Sequence, residues 1–182
     1  MKLRPNPTYR TKAILLHDDD VHYTPIEMEL AFQVWRQQGQ YRVTGAFARC
    51  VVMGSDGKWK YKSCGNGGYY NMVLTGLLFT HISFLEYYSS EDPMMSQIRD
   101  YVDKVFNCED VAFNYMAAML SCTSALQVTG PQVAFDARPP GGISTSAKHK
   151  KTRHECVDDF KNILGYMPLK NSAVHFGLGS KG

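Results

Sequence analysis

The sequence predicts an α/β domain, and three observations carry that prediction. The first is an unbroken apolar run, Ala13-Ile14-Leu15-Leu16, that ends on His17 and then on three consecutive carboxylates, Asp18, Asp19 and Asp20. Such a run reads as a strand covered on both faces, the habit of a mostly parallel sheet. The second is a well-marked helix directly after the acids. The third is the alternation of short strand-like runs with helical patterns along the rest of the chain. With 182 residues there is one domain's worth of chain, enough for a sizeable core. Residues 1–170 are assigned to that domain and 171–182 to a loose tail.

Each element follows from local signals. Thr24 is the expected N-cap of the first helix, with Pro25 at N1 and Glu27 at N3 completing a capping box. Ile26, Leu30, Ala31, Val34 and Trp35 share one face, and Gly39 ends the helix. Tyr41 to Phe47 reads as a strand, with Arg49 just beyond it. Ser55-Asp56-Gly57 is a tight turn that joins Val51-Val52 to Trp59-Lys60-Tyr61 in a hairpin. Gly65-Asn66-Gly67-Gly68 is a flexible loop. No Gly-Lys-Ser/Thr follows it, which excludes a P-loop. Tyr69 to Phe79 is a strand interrupted at Thr75-Gly76. The glycine there marks either close backbone approach to a ligand or simple packing.

His81 to Tyr88 forms a short helix and Ser89 to Pro93 a loop. Ser96 to Phe106 is helical, with Ile98, Tyr101, Val102 and Val105 on one face. Val111, Ala112, Tyr115, Met116, Met119 and Leu120 belong to a further amphipathic helix that opens on Glu109 and Asp110. Helix capping needs only one acid, so the pair leaves one free for other work. Leu126-Gln127-Val128 and Val133-Ala134-Phe135 are short strands around Gly130-Pro131. Ala137 to Ala147, rich in Pro, Gly and Ser, is a surface loop. The basic segment Lys148 to Arg153 follows. The last helix runs from about Thr152 to Leu164 and is closed by Gly165 and Pro168. A parallel first strand needs neighbours that nothing upstream supplies. The chain is therefore expected to begin in mid-domain or to place that strand at an edge.

Composition narrows the function classes. The formal charge is +3, and much of the excess sits in Lys148, Lys150, Lys151 and Arg153. A local cluster argues against a general nucleic-acid binder and allows one anionic ligand site. Cys50, Cys64, Cys108, Cys122 and Cys156 contain no C-x-x-C and no zinc-finger spacing, which excludes a structural zinc of that kind. They allow up to two disulfides and one free thiol. No run reaches the roughly 20 apolar residues of a membrane helix. The N-terminus lacks the apolar core of a signal peptide.

The chemistry concentrates in three places: the acidic triplet at a strand end, the acidic pair opening a helix, and the late basic segment. Carboxylates at a strand's carboxyl end are hard-oxygen ligands for Mg²⁺ or Mn²⁺. The structural alternative is an acidic turn that favours the positive end of the following helix dipole. A transferase acting on a nucleotide-diphosphate donor uses all three places. A metal ion offsets leaving-group charge, a cation faces the diphosphate, and a further carboxylate stands near the sugar.

Seven pieces of sequence, in order, resemble the exostosin-like glycosyltransferases, glycosyltransferase family 64. They are Ala13–Val21, Ala31–Trp35, Val43–Gly45, Tyr70–Gly76, Asn107–Asn114, Arg153–Cys156 and Gly165–Leu169. The resemblance spans roughly Leu3 to Leu169. It implies a GT-A fold and a metal-dependent, retaining transfer of a sugar, an N-acetylhexosamine, from a UDP-sugar to a glycan or lipid-linked acceptor. It implies donor binding by Asp18, Asp19, Asp20 and Arg153, with Mn²⁺ or Mg²⁺ on Asp20 and Asp18. It sets Asp110 beside the reacting sugar carbon, with Glu109 near it and Arg153 on the diphosphate and sugar. It also implies a disulfide between Cys108 and Cys156, and leaves the pairing of Cys50, Cys64 and Cys122 open.

Departures from the family are visible as well. Its nucleotide-binding half is expected to be missing, with Leu3-Arg4-Pro5 resembling the end of it. Ala48 stands where the family has Pro, and Cys50 where it often has a basic residue. The implied location is the Golgi or endoplasmic reticulum lumen, with membrane association only through an anchor outside this chain. The alternatives are a catalytically inactive fragment or pseudoenzyme of the same fold and, less favoured, a Mg-dependent phospho- or nucleotidyltransferase.

Overall fold

The computed structural model describes residues 2–64, 68–129, 135–136 and 147–178. The chain runs β1 (Ala13–His17), β2 (Val21–His22), α1 (Pro25–Val34, continued by a π turn, Trp35–Gly39), β3 (Thr44–Gly45), β4 (Ala48–Met53), β5 (Trp59–Ser63), β6 (Met72–Val73) and β7 (Leu77–His81). It continues through α2 (Ile82–Tyr88), α3 (Pro93–Val105), α4 (Glu109–Ser121), β8 (Leu126–Thr129), β9 (Phe135–Asp136), α5 (Ala147–Leu164) and β10 (His175–Gly177).

A five-stranded sheet in the order β1-β7-β3-β8-β10 organises the fold. It is mixed. β1 and β3 lie antiparallel to β7, whereas β8 runs parallel to both β3 and β10. The expected mostly parallel sheet is thus corrected, and β1 takes the edge alternative. The physical reason is that an unbroken apolar run reports coverage of both faces, not strand direction. Ile14, Leu16 and Leu78 pack into a large cluster with α2 to α5. Leu77 and Phe79 pack with Ala31, Val34 and Trp35 on the other side, with Ala13 and Leu15 against them. The period-2 alternation of β1 and β7 therefore feeds two cores, with helices on both faces of the sheet.

β4 pairs with β5 and β6 in a second, antiparallel sheet. The expected hairpin forms around Gly57, whose φ of +74° is the left-handed conformation a glycine adopts without strain. The capping box of α1 is present, but Ile26, assigned to its core face, is 69% exposed, and Glu27 is buried instead. Only Thr44–Gly45 of the expected Tyr41–Phe47 strand has sheet pairing. α3 starts at Pro93, earlier than expected, because Asp92 caps it by accepting from the Met95 N–H at 3.0 Å.

α5 begins at Ala147, so the basic segment is the first part of the helix and not its approach. The tail, expected to be loose, contributes β10 to the sheet, and Ser172 pairs with Tyr70. Expectations for the 65–67 part of the glycine loop, for Val133–Ala134, for most of the Ala137–Ala147 loop and for 179–182 lie outside the described residues. Among the described residues no helix is long and apolar enough to cross a membrane.

Candidate active site

The strand end, the start of α4 and the start of α5 meet at one cleft of ≈ 660 Å³. Asp18, Asp19, Asp20, Glu109, Asp110 and Arg153 all line it. Carboxylates separated by some ninety positions in the chain thus face a common space.

The triplet is held where β1 leaves the sheet. The Asp18 N–H donates to the Gly76 carbonyl at 2.8 Å, continuing the β1–β7 ladder by one bond. A Cβ on Gly76 would come within 2.8 Å of Asp18 Oδ2. The glycine in the interrupted strand therefore allows close approach to an acidic side chain of the cleft. Lys2 Nζ donates to Asp18 Oδ1 at 2.5 Å.

Asp110 is the most enclosed acid of the group, 5% exposed. It stands on the first turn of α4, where the positive end of the helix dipole favours a carboxylate. Its Oδ1 accepts from the Thr75 N–H at 2.7 Å and from Thr75 Oγ1 at 2.5 Å, and its Oδ2 accepts from Arg153 Nη2 at 2.5 Å. Burial pushes its pKa upward, but the Arg153 charge and the Thr75 bonds outweigh it and hold the group below its ordinary value. Glu109 goes the other way, raised by burial and then by the Asp110 charge beside it. Two adjacent acids are thereby pushed apart, one toward ionisation and one toward protonation.

Arg153 is the hub. Besides Asp110, its Nη1 donates to the Tyr61 hydroxyl at 2.8 Å and its Nε to Asn107 Oδ1 at 3.4 Å. The guanidinium carbon lies 5.3 Å from the Tyr61 ring centroid, within cation–π reach. Burial works against the charged guanidinium, and Asp110, Tyr61 and Glu109 more than offset it and raise its pKa above the ordinary value. The Tyr61 phenol is raised by burial, partly opposed by Arg153.

The hub is covalently stapled. Cys108 bonds to Cys156, with Cα atoms 6.5 Å apart across 48 positions. This is the pairing the resemblance implied, and it ties the residue before Glu109 to the α5 turn that follows Arg153. Cys50 bonds to Cys64, and Cys122 is the exposed free thiol. Cys108 has φ +75° and Phe106 φ +51°, so the backbone entering α4 is bent through conformations that bulky residues avoid.

Among the described residues no group of three or more His, Cys, Asp or Glu side chains converges tightly enough to form a complete metal cage. The donor chemistry nevertheless fits a hard divalent cation. Consecutive carboxylates at a strand end suit an ion that takes one or two protein oxygens and completes its shell from phosphate and water. Sequence reasoning missed Lys2, Tyr61, Thr75 and Asn107 as partners in this cleft. Tyr61 and Thr75 carried weak signals, a hairpin aromatic and a residue beside a strand-interrupting glycine. Lys2 carried none.

The description that matches this chain is the glycosyl transferase family 64 domain, over residues 1–179. The chain is similar to glucosamine inositolphosphorylceramide transferase 1 of Oryza sativa, 31% identical over 175 residues, covering 93% of this chain and 23% of that protein. It is similar to the exostosin-like-3 homolog of Caenorhabditis elegans, 34% identical over 162 residues, covering 89% and 19%. Exostosin-2 of Homo sapiens is 33% identical over 171 residues, covering 91% and 23%. The chain spans between 19% and 23% of the length of these relatives.

Proposed function

The chain belongs to glycosyl transferase family 64, and from that membership and the cleft we propose that it carries the catalytic part of a metal-assisted, retaining, UDP-sugar-dependent transferase of GT-A fold. The observation that carries the reading is Asp110: a buried carboxylate, held ionised by Arg153 and Thr75, in one cleft with Asp18, Asp19 and Asp20.

In this reading Asp110 acts beside the reacting sugar carbon. Its negative charge stabilises the positive charge that develops as the bond to the diphosphate breaks, and the new bond forms with the sugar's configuration kept. Arg153 fixes the charge and direction of Asp110. Of its five N–H donors, three have partners among the described residues, and the others can meet phosphate oxygens. Lys2, which lines the cleft and bonds to Asp18, would add a second cation for the diphosphate. Glu109, biased toward its protonated form, orients the acceptor hydroxyl. Asp20 and Asp18 would hold Mn²⁺ or Mg²⁺, which when bound offsets leaving-group charge as a Lewis acid.

The printed name of the rice relative supports an amino-sugar donor and a lipid-linked acceptor; the exostosin relatives leave a glycan acceptor equally open. Two disulfides fit a secretory-pathway lumen. One observation favours a second reading, a fold-retaining chain without turnover: Lys2 already neutralises Asp18.

The deciding experiment incubates the chain with a panel of UDP-sugars and Mn²⁺ and follows UDP release and product mass. Asp110→Asn and Asp20→Asn are each expected to abolish turnover. Unchanged turnover in Asp110→Asn rejects the mechanism. Mn²⁺ with UDP should raise Tm through binding linkage, and no shift at millimolar ligand favours the inactive reading.

A further inference from the structure

A second cleft, of ≈ 630 Å³, opens between β5 and the outward side of α5. Its volume lies within the range of about 300–1,000 Å³ usual for small-ligand sites. Trp59, packed in part against the core and in part open to the cleft, is the aromatic residue of the lining, and His154 and Glu155 line it from the helix.

The two clefts adjoin at residue 61. The Tyr61 side chain lines the first, while its backbone N–H donates at 3.2 Å to Nδ1 of His154, which lines the second. Strand alternation puts Trp59, Tyr61 and Ser63 on one face of β5, spanning roughly 13 Å. A short oligosaccharide covers that length. α5 divides in the same way, with Arg153 turned to the first cleft and His154 to the second.

Two ion pairs and two hydrogen bonds engage the four carboxylates of the second cleft. Lys60 Nζ lies 3.0 Å from Asp56 Oδ2, and Lys151 Nζ lies 3.7 Å from Glu155 Oε1. Asp158 Oδ1 accepts from the Trp59 N–H at 3.1 Å, and Asp159 Oδ2 from the Tyr101 hydroxyl at 2.6 Å. Three lysines stand against four carboxylates in the lining. A polyanion would meet more negative than positive charge there. A neutral, hydroxyl-rich ligand finds an indole for the apolar face of a ring and many donors and acceptors for its hydroxyls.

We propose that this cleft is a distal subsite for neutral sugar units of the acceptor, so that a glycan lies along β5 from Trp59 past Tyr61 to the catalytic cleft. The proposal rests on the transferase reading for the chemistry at Asp110, but binding at Trp59 needs no donor and no turnover. The two can therefore fail separately.

The test is a titration of the ¹⁵N-labelled native chain with neutral pentasaccharides (mannopentaose, galactopentaose, cellopentaose) and, separately, a heparin tetrasaccharide. The chain has two tryptophans, and Trp35 is buried, so its indole signal is an internal control. At least one neutral pentasaccharide should shift the Trp59 indole signal at millimolar concentration and leave that of Trp35 in place. Trp59→Ala should weaken this binding roughly tenfold and raise the acceptor KM for long acceptors more than for monosaccharides, with donor binding retained. Should that variant not fold, the native titration decides alone. No shift of Trp59 by any neutral pentasaccharide, or a shift by the heparin fragment only, overturns the proposal. UDP binding measured on the same sample keeps this outcome distinct from failure of the catalytic reading.

Discussion

Replacing Arg153 by Met would strand a charge. The Arg153 and Asp110 side chains are 11% and 6% exposed, so the pair is shielded from water. Removing one partner of such a pair costs about 3–5 kcal/mol, because the survivor stays buried and uncompensated. For a chain of this size that lowers Tm by roughly 10 °C. The pH dependence tests the cause. In the native chain the folded pKa of Asp110 is depressed, so its contribution is present above the unfolded value of about 3.9 and fades as pH falls through the folded one. In Arg153→Met, burial becomes the dominant influence and raises the folded pKa of Asp110 above its unfolded value. The variant should then be least stable, relative to the native chain, at neutral pH, and the gap should narrow toward about pH 4. Urea denaturation of both chains at neutral and acid pH, disulfides intact, measures this. Adding Asp110→Asn to Arg153→Met removes the stranded charge and should restore part of the loss. A loss below about 1 kcal/mol at pH 7, or an equal loss at both pH values, would refute the reasoning.

Four further outcomes are expected. Non-reducing peptide mapping should find Cys50 linked to Cys64, Cys108 linked to Cys156, and Cys122 alkylated as a free thiol. Replacing both Cys108 and Cys156 by Ser should cost about 4 kcal/mol for a 48-residue loop, read as a lower urea midpoint. Gly76→Ala should leave the far-UV spectrum unchanged and reduce the Mn²⁺–UDP thermal shift, since the new Cβ displaces the Asp18 carboxylate. Glu109→Gln should stabilise the chain at neutral pH and have little effect in acid. A raised folded pKa gives stability that is present at low pH and lost as pH rises through that value, and the neutral amide removes this loss.

The parts of this fold legible in the sequence are those written locally. The capping box at Thr24 and Glu27 and the Asp56-Gly57 turn each specify their geometry within a few residues, and both form. What the sequence hid is non-local. β10 is three residues with no pattern of its own, and it is a strand because β8 accepts it in parallel. α5 starts early although lysines at a helix N-terminus oppose the dipole, and the disulfide and the packing of Val157 and Phe160 outweigh that preference. β1 advertised its covered faces and concealed its direction. At the site, acids could be read as candidates from their company on strand and helix ends. Lys2 could not, because nothing near it in the sequence marks it as the partner of Asp18.

The staple and the hub together explain why a helix start that looks badly built persists. The Cys108 and Phe106 backbones adopt conformations that cost of order 1–3 kcal/mol each, and Cys108 provides no side-chain cap for α4. An ordinary Ser or Asp cap at residue 108 would satisfy the helix but could not bond to Cys156. Without that bond, Arg153 would approach Asp110 on noncovalent contacts alone. The chain instead accepts a poor helix start and gains a fixed one, with Asp110 and Glu109 on the first turn and Arg153 held over them. Strain at residues 106–108 is thus located where it holds in place two adjacent acids of the cleft whose ionisation is pushed in opposite directions.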